Sequence, residues 1–167
     1  MGKHHYGILS DTHGQLHDYI PEYFRGCQAI LHAGDIGERR ILSELEEIAP
    51  LYAVAGNCDV PTSKLPKLQV ADLAFGFAGL THGHLFPFDR YKRNDELLQA
   101  FAESDCRLII TGHTHHPYYD VHNGVILINP GACCPPRTGH IASIALLEWD
   151  DETDLFDIRF KSLDWTD

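Results

Sequence analysis

Five short polar motifs, each directly behind an apolar run, constrain this chain more than any other feature of it. The runs cover residues 6–9, 29–31, 51–55, 75–80 and 108–110, and behind them stand SDTHG, HAGDIG, GNCD, THGH and TGHTH. Short apolar runs bounded by glycine and small polar residues read as β-strands. In an open α/β fold the loops at the carboxyl ends of strands collect in one crevice. Asp11, His13, Asp35, Asn57, His82, His113 and His115 can therefore meet in space although the sequence scatters them.

Their chemistry is coherent. Aspartate offers anionic oxygen that can bridge two cations, histidine offers neutral nitrogen, and asparagine offers a neutral carbonyl oxygen. Such a mixed set suits manganese, iron, zinc, nickel or cobalt better than calcium or magnesium. Two divalent ions about 3.5–4 Å apart can generate hydroxide and hold a phosphate in line for attack. A lone Asp-x-His is usually a turn or a capping pair. The weight comes from five motifs in this order, each behind a strand.

The motifs D-x-H, GD, GN-x-D, an apolar strand ending in H, and GH-x-H resemble those of the calcineurin-like metallophosphoesterases. The short length, GNCD, THGH and the later INPG resemble the small YfcE-type phosphodiesterases, and the likeness runs over residues 6–137. The resemblance implies a four-layer α/β/β/α sandwich of two mixed sheets. It implies that Asp11, His13 and His115 hold one metal, Asn57, His82 and His113 the other, and that Asp35 bridges both together with a water or hydroxide. Two divalent transition-metal ions are expected, manganese foremost. The activity implied is that of a metal-dependent phosphoesterase, expected to act on a phosphodiester by in-line attack of the bridging hydroxide.

Where the broad superfamily carries GNH followed by an acidic residue, with the histidine thought to protonate the leaving group, this chain has Cys58 followed by Asp59. The YfcE-type enzymes share the cysteine, so the identity of the general acid is open. His84 can donate a proton or cap its loop. Asp59 can orient water or substrate, or cap a turn. Cys58 is mainly a thiol at neutral pH. Arg137 can approach a substrate anion or stand in solvent. His32 reads as a bonded core histidine, and His116, His122 and His140 as surface or hairpin residues. The rival function is a scaffold that binds a protein partner, as a retromer subunit of similar fold does. A scaffold is free to lose metal ligands, and all seven positions here carry suitable ones.

Composition bounds the rest. The 167 residues, 44% hydrophobic and 22% charged, fit one domain over residues 1–167. No apolar run reaches the roughly 18–20 residues of a membrane span. The start of the chain lacks a signal-peptide pattern. The five cysteines are odd in number and form no CxxC pair, which argues against a disulfide framework and for a reducing cytoplasm. A net charge of −11 disfavours stable nucleic-acid or anionic-membrane binding. A small phosphate ester is the expected partner, its charge met by the metals, and self-association stays open. Helices are expected at residues 17–24, 38–48 and 94–103, a loop from Pro61 to Pro66, and hairpins over residues 68–80, 117–128 and 141–161. Asn123-Gly124 is a strong signal for a two-residue hairpin turn.

Overall fold

A computed structural model describes residues 2–60 and 64–166. The alternation of strand and helix in the first half, followed by hairpins, builds two five-stranded sheets. The first has the order β10 (Leu155–Ser162), β9 (Ser143–Asp150), β1 (Lys3–Leu9), β2 (Ala29–His32), β3 (Leu51–Ala53). The second runs β4 (Leu68–Leu73), β5 (Gly76–Thr81), β6 (Cys106–Ile110), β8 (Val125–Pro130), β7 (Pro117–His122).

Strands β1, β2 and β3 are parallel, as are β5, β6 and β8. Antiparallel partners flank each parallel set. Both sheets are therefore mixed, and each parallel set points its carboxyl ends one way. The strand pleat sends alternate residues to opposite faces. Tyr6, Ile8, Leu31, Leu80, Leu108, Ile110 and Leu147 fill the space between the sheets. On the outer face of the first sheet, Leu9, Ile30 and Ile144 meet α1 (Ile20–Tyr23) and α2 (Arg39–Glu46) through Ile20, Ile41 and Leu45. On the outer face of the second, Ile109 and Leu127 meet α3 (Arg90–Ala100) through Leu97. The four-layer α/β/β/α sandwich follows from this division of apolar residues into one inner and two outer clusters.

The three helices differ from expectation in their bounds. The helix expected at residues 17–24 is a single turn, because Pro21 enters its first positions and the His17 ring binds outside it, to the carbonyl of Asp164 and the amide of Tyr19. The helix expected from Asn94 starts at Arg90, since the Asp89 carboxylate accepts the Lys92 N–H at 3.0 Å and caps it. The second helix is shorter by a residue or two at each end than the expected residues 38–48. The loop expected from Pro61 to Pro66 falls partly outside the described residues. Among the described residues no helix is long and apolar enough to cross a membrane.

Candidate metal centre

The loops behind the parallel strands stitch the two sheets together at one end. The Asp11 and His13 amides donate to the carbonyls of Gly34 and Asp35, each at 2.9 Å. The Gly112 amide donates to the His82 carbonyl at 3.0 Å. Across the sheets, the His113 N–H reaches Asp11 Oδ2 at 3.1 Å, and the His82 ring bonds the carbonyl of Ala33. Two glycines make this approach possible. A Cβ on Gly56 would overlap the Asp35 carboxylate, and one on Gly112 would overlap Ser10 and the Asp11 carboxylate.

The result is a compact set of oxygens and nitrogens. His115 Nε2 lies 3.1 Å from Asp11 Oδ1 and 3.4 Å from His13 Nε2. His13 Nε2 is 3.8 Å from both Asp11 Oδ1 and Asp35 Oδ2. His82 Nε2 is 3.2 Å from Asp35 Oδ2 and 3.8 Å from Asp11 Oδ1. The His113 ring stands edge-on to His82, centroids 5.2 Å apart. Asn57 shares the centre's rim, but its side chain is exposed and its amide donates to Cys58 Sγ at 3.4 Å. Asp11, His13 and His115 form one group with ligand atoms within 4.8 Å of one another. Asp11, Asp35 and His82 form a second, and His13, Asp35 and Cys58 a third.

Two observations test whether cations fit. The carbonyl of Ala33 only accepts, so the His82 bond to it at 2.7 Å fixes the proton on Nδ1. In the neutral ring, Nε2 is then a bare lone pair facing two carboxylate oxygens. Both Nε2 and Asp11 Oδ1 are buried without a well-aligned hydrogen bond. Unpartnered buried polar atoms are costly, and a divalent ion satisfies acceptors of this kind together. The second observation is in the backbone. Asp11, His13, Asp35, His113 and His115 have φ of 53°, 46°, 54°, 70° and 59°. Left-handed backbone at a non-glycine residue costs on the order of 1–3 kcal/mol and clusters at functional sites. The donor set and its geometry therefore fit divalent metal ions.

The local field agrees. Burial pushes the Asp35 carboxyl up, but the adjoining His82 ring and the Cys58 amide outweigh it and hold Asp35 well below its usual range. Burial acts likewise on Asp11, and His115, His82 and the Ser10 hydroxyl outweigh it. Burial lowers His82, but Asp35 and Asp11 together raise it above its ordinary value. His113 and His84 are lowered, first by burial and then by the neighbouring His82.

The remaining candidates take distinct places. Both carboxylate oxygens of Asp59 are engaged, accepting the amides of Ile36, Gly37 and Gly56 at 2.8, 3.0 and 2.8 Å. Asp59 thus ties the GNCD loop to the HAGDIG loop. Cys58 is exposed, and its amide donates to Asp35 Oδ1 at 2.8 Å. Partial burial and then the Asp35 carboxylate push its thiol up. The His84 ring lies 5.5 Å from His82 and 6.2 Å from His113, with Nδ1 buried and unpartnered. His32 is fully buried, accepting the Gly34 amide at Nδ1 and donating from Nε2 to the Thr12 hydroxyl, which donates on to the Ile36 carbonyl. His140 is half-buried and stacks on the exposed His116 at 4.4 Å, and Arg137 is exposed. Cys133 and Cys134 are buried turn residues whose amides bind the carbonyls of Ser10 and Asp11. Burial pushes the Cys133 thiol up to about 12, which disfavours the thiolate.

Motif spacing missed two residues. The Ser10 hydroxyl donates to Asp11 Oδ2 at 2.6 Å. The Asn129 amide, 2% exposed, donates to the Gly112 carbonyl at 2.7 Å and the Thr114 hydroxyl at 3.1 Å, and its oxygen accepts the Gly131 amide. Asn129 thereby fixes the loop that carries His113 and His115. The available signal was INPG, a polar motif standing at the end of another apolar run.

Comparison with known proteins identifies the family. Residues 5–152 match the calcineurin-like phosphoesterase superfamily domain. The chain is 32% identical to Phosphodiesterase YfcE of Escherichia coli, over 86% of each chain. A crystal structure from Streptococcus pneumoniae, described as a predicted phosphoesterase, superposes with a TM-score of 0.76 at 28% identity, covering 97% of this chain and 91% of that one. Vacuolar Protein Sorting 29 of Cryptosporidium parvum shares the fold at 20% identity and a TM-score of 0.76, covering 98% of this chain and 99% of its own. The chain belongs to the calcineurin-like phosphoesterase superfamily.

Proposed function

We propose that this protein hydrolyses phosphodiesters at a two-metal centre. The observation that carries the reading is the buried His82 Nε2, which lies 3.2 Å from Asp35 Oδ2 and 3.8 Å from Asp11 Oδ1 with no well-aligned hydrogen bond. In this reading Asp11, His13 and His115 hold one ion and Asn57, His82 and His113 the other. Asp35 serves both, since Oδ2 faces a histidine of each trio, His13 and His82. When bound, two divalent ions, manganese foremost, acidify water to give the nucleophile and offset the charge of the phosphoryl oxygens. Asp59, whose oxygens accept three loop amides, positions those loops beside the centre. Cys58 and His84 are the candidates for protonating the leaving oxygen. The thiol is a weak acid, and His84, with its lowered pKa, is neutral at neutral pH.

The protein-binding alternative gives no reason for five ligand-type residues to sit in left-handed backbone. The deciding experiment pairs metal analysis of protein purified without chelator with a panel of phosphate mono- and diesters. Activity on a diester should vanish with chelator and return with Mn²⁺ or a similar ion. Full activity after long incubation in excess chelator would overturn the reading.

A further inference from the structure

Among the described residues Phe88 is the most exposed large apolar side chain, at 84%. Its position is nevertheless held from both sides. Phe86 packs into the cluster of Leu97 and Phe101, and its amide donates to the Gly83 carbonyl at 3.1 Å. Pro87 restricts the backbone between them. Asp89 caps α3 through the Lys92 amide. The Phe88 ring is thereby set beside the candidate ligand His113, ring centroids 5.9 Å apart and planes tilted by 35°. Arg93 lines the same small cleft.

An exposed phenyl ring beside the site leaves apolar area uncovered, and its face is suited to a flat partner. A phosphodiester with its phosphorus at the metal centre must send one ester arm past this rim. Resting on the phosphoesterase reading above, we propose that Phe88 is a specificity-determining platform, and that the substrate is a phosphodiester with one arm carrying a planar aromatic ring, such as a nucleobase. An alkyl arm of equal size would cover the ring without stacking on it.

The test uses Mn²⁺-loaded protein and two phosphates, adenosine 5′-monophosphate and ribose 5-phosphate, with dissociation constants measured by calorimetry. The parent should hold the adenosine compound about tenfold or more tighter, in line with base–aromatic stacking. Phe88→Ala should bring the ratio close to one while leaving ribose 5-phosphate affinity unchanged, and Phe88→Trp should keep it. A kinetic arm compares phenethyl methyl phosphate with 2-cyclohexylethyl methyl phosphate, whose leaving groups are matched in basicity. Only the phenethyl ester should lose kcat/KM in Phe88→Ala. Equal ratios in parent and Phe88→Ala would overturn the platform alone, leaving the exposed rim to another use such as a protein contact. Metal-loaded protein that binds neither phosphate and cleaves no member of the ester panel, activated aryl diesters included, would overturn the platform and the phosphoesterase reading together.

Discussion

His82 donates from Nδ1 to the carbonyl of Ala33 at 2.7 Å, and this one bond decides the chemistry of the opposite ring nitrogen. Because Ala33 belongs to the HAGDIG loop and His82 to the second sheet, the bond also fixes the ring across the two sheets. Without metal, Nε2 meets Asp35 and Asp11 best as an imidazolium, which is why its pKa is raised. Metal uptake requires the neutral ring and should expel that proton. At pH 6 the parent should release about one more proton per chain than His82→Gln on saturation with Mn²⁺. Calorimetry in buffers of different ionisation enthalpy reads the number. Equal release by both proteins would mean that His82 does not take part.

Asp35 lies between His13 and His82, one from each proposed trio. Asp35→Asn should weaken both ions at once, giving metal contents well below two per chain after gel filtration. The melting temperature of the variant should respond little to added Mn²⁺. The parent should gain about 2.7 kcal/mol per site when free metal reaches a hundred times Kd. A variant with two tightly held ions and a normal rate would remove Asp35 from the bridging role.

Asn129 touches no proposed ligand side chain, yet its amide closes the turn that presents two of them. Asn129→Ala removes bonds to Gly112, Thr114 and Gly131 and takes away the acceptor of the buried Gly131 amide, at a cost of about 1–3 kcal/mol in stability. Metal affinity should fall about 10–100-fold, as for other outer-sphere groups that orient ligands. A stability loss with unchanged metal affinity would reduce Asn129 to a structural residue.

These residues mark where the sequence is legible. Apolar runs followed by polar motifs expose the strands and the loops that gather at one end, because strand burial and loop chemistry both write on local sequence. They do not show which neighbour a side chain bonds. For Asp59 the sequence offers contact with water or substrate and the capping of a turn alike, and only its three amide partners reveal that it joins two loops. Asp89 reads as one more loop residue until its capping bond is seen, which is why α3 begins before its expected start. Five left-handed ligand residues are likewise invisible, since backbone strain leaves no mark when the residue is histidine or aspartate.

His32 makes stability depend on pH. Burial pushes its pKa from 6.5 down to about 4. Above pH 6.5 the ring is neutral in both folded and unfolded chains and adds no penalty. As pH falls below that, the unfolded chain binds the proton first, so stability is lost between about pH 6.5 and 4. The loss should reach roughly 3 kcal/mol by pH 4. His32→Gln in chelator-treated protein should flatten the denaturation midpoint across that window by a matching amount. A variant as acid-sensitive as the parent would place the titration elsewhere.

The leaving group is the last element to be tested, because general acid catalysis typically contributes about 10²–10⁴-fold and neither nearby group is a strong acid. Burial and the neighbouring Asp35 carboxylate keep the Cys58 thiol above its usual pKa, and burial keeps His84 below. The rate should therefore depend steeply on leaving-group basicity, with activated aryl diesters cleaved much faster than alkyl diesters. Cys58→His should help poor leaving groups selectively, provided that the new ring does not capture a metal, which metal analysis of the variant checks. His84→Ala separates the other donor. If His84 supplies the proton, the variant loses far more rate on alkyl than on aryl esters. A shallow dependence in the parent, unchanged in both variants, would exclude both residues and leave water or the substrate itself to carry the proton.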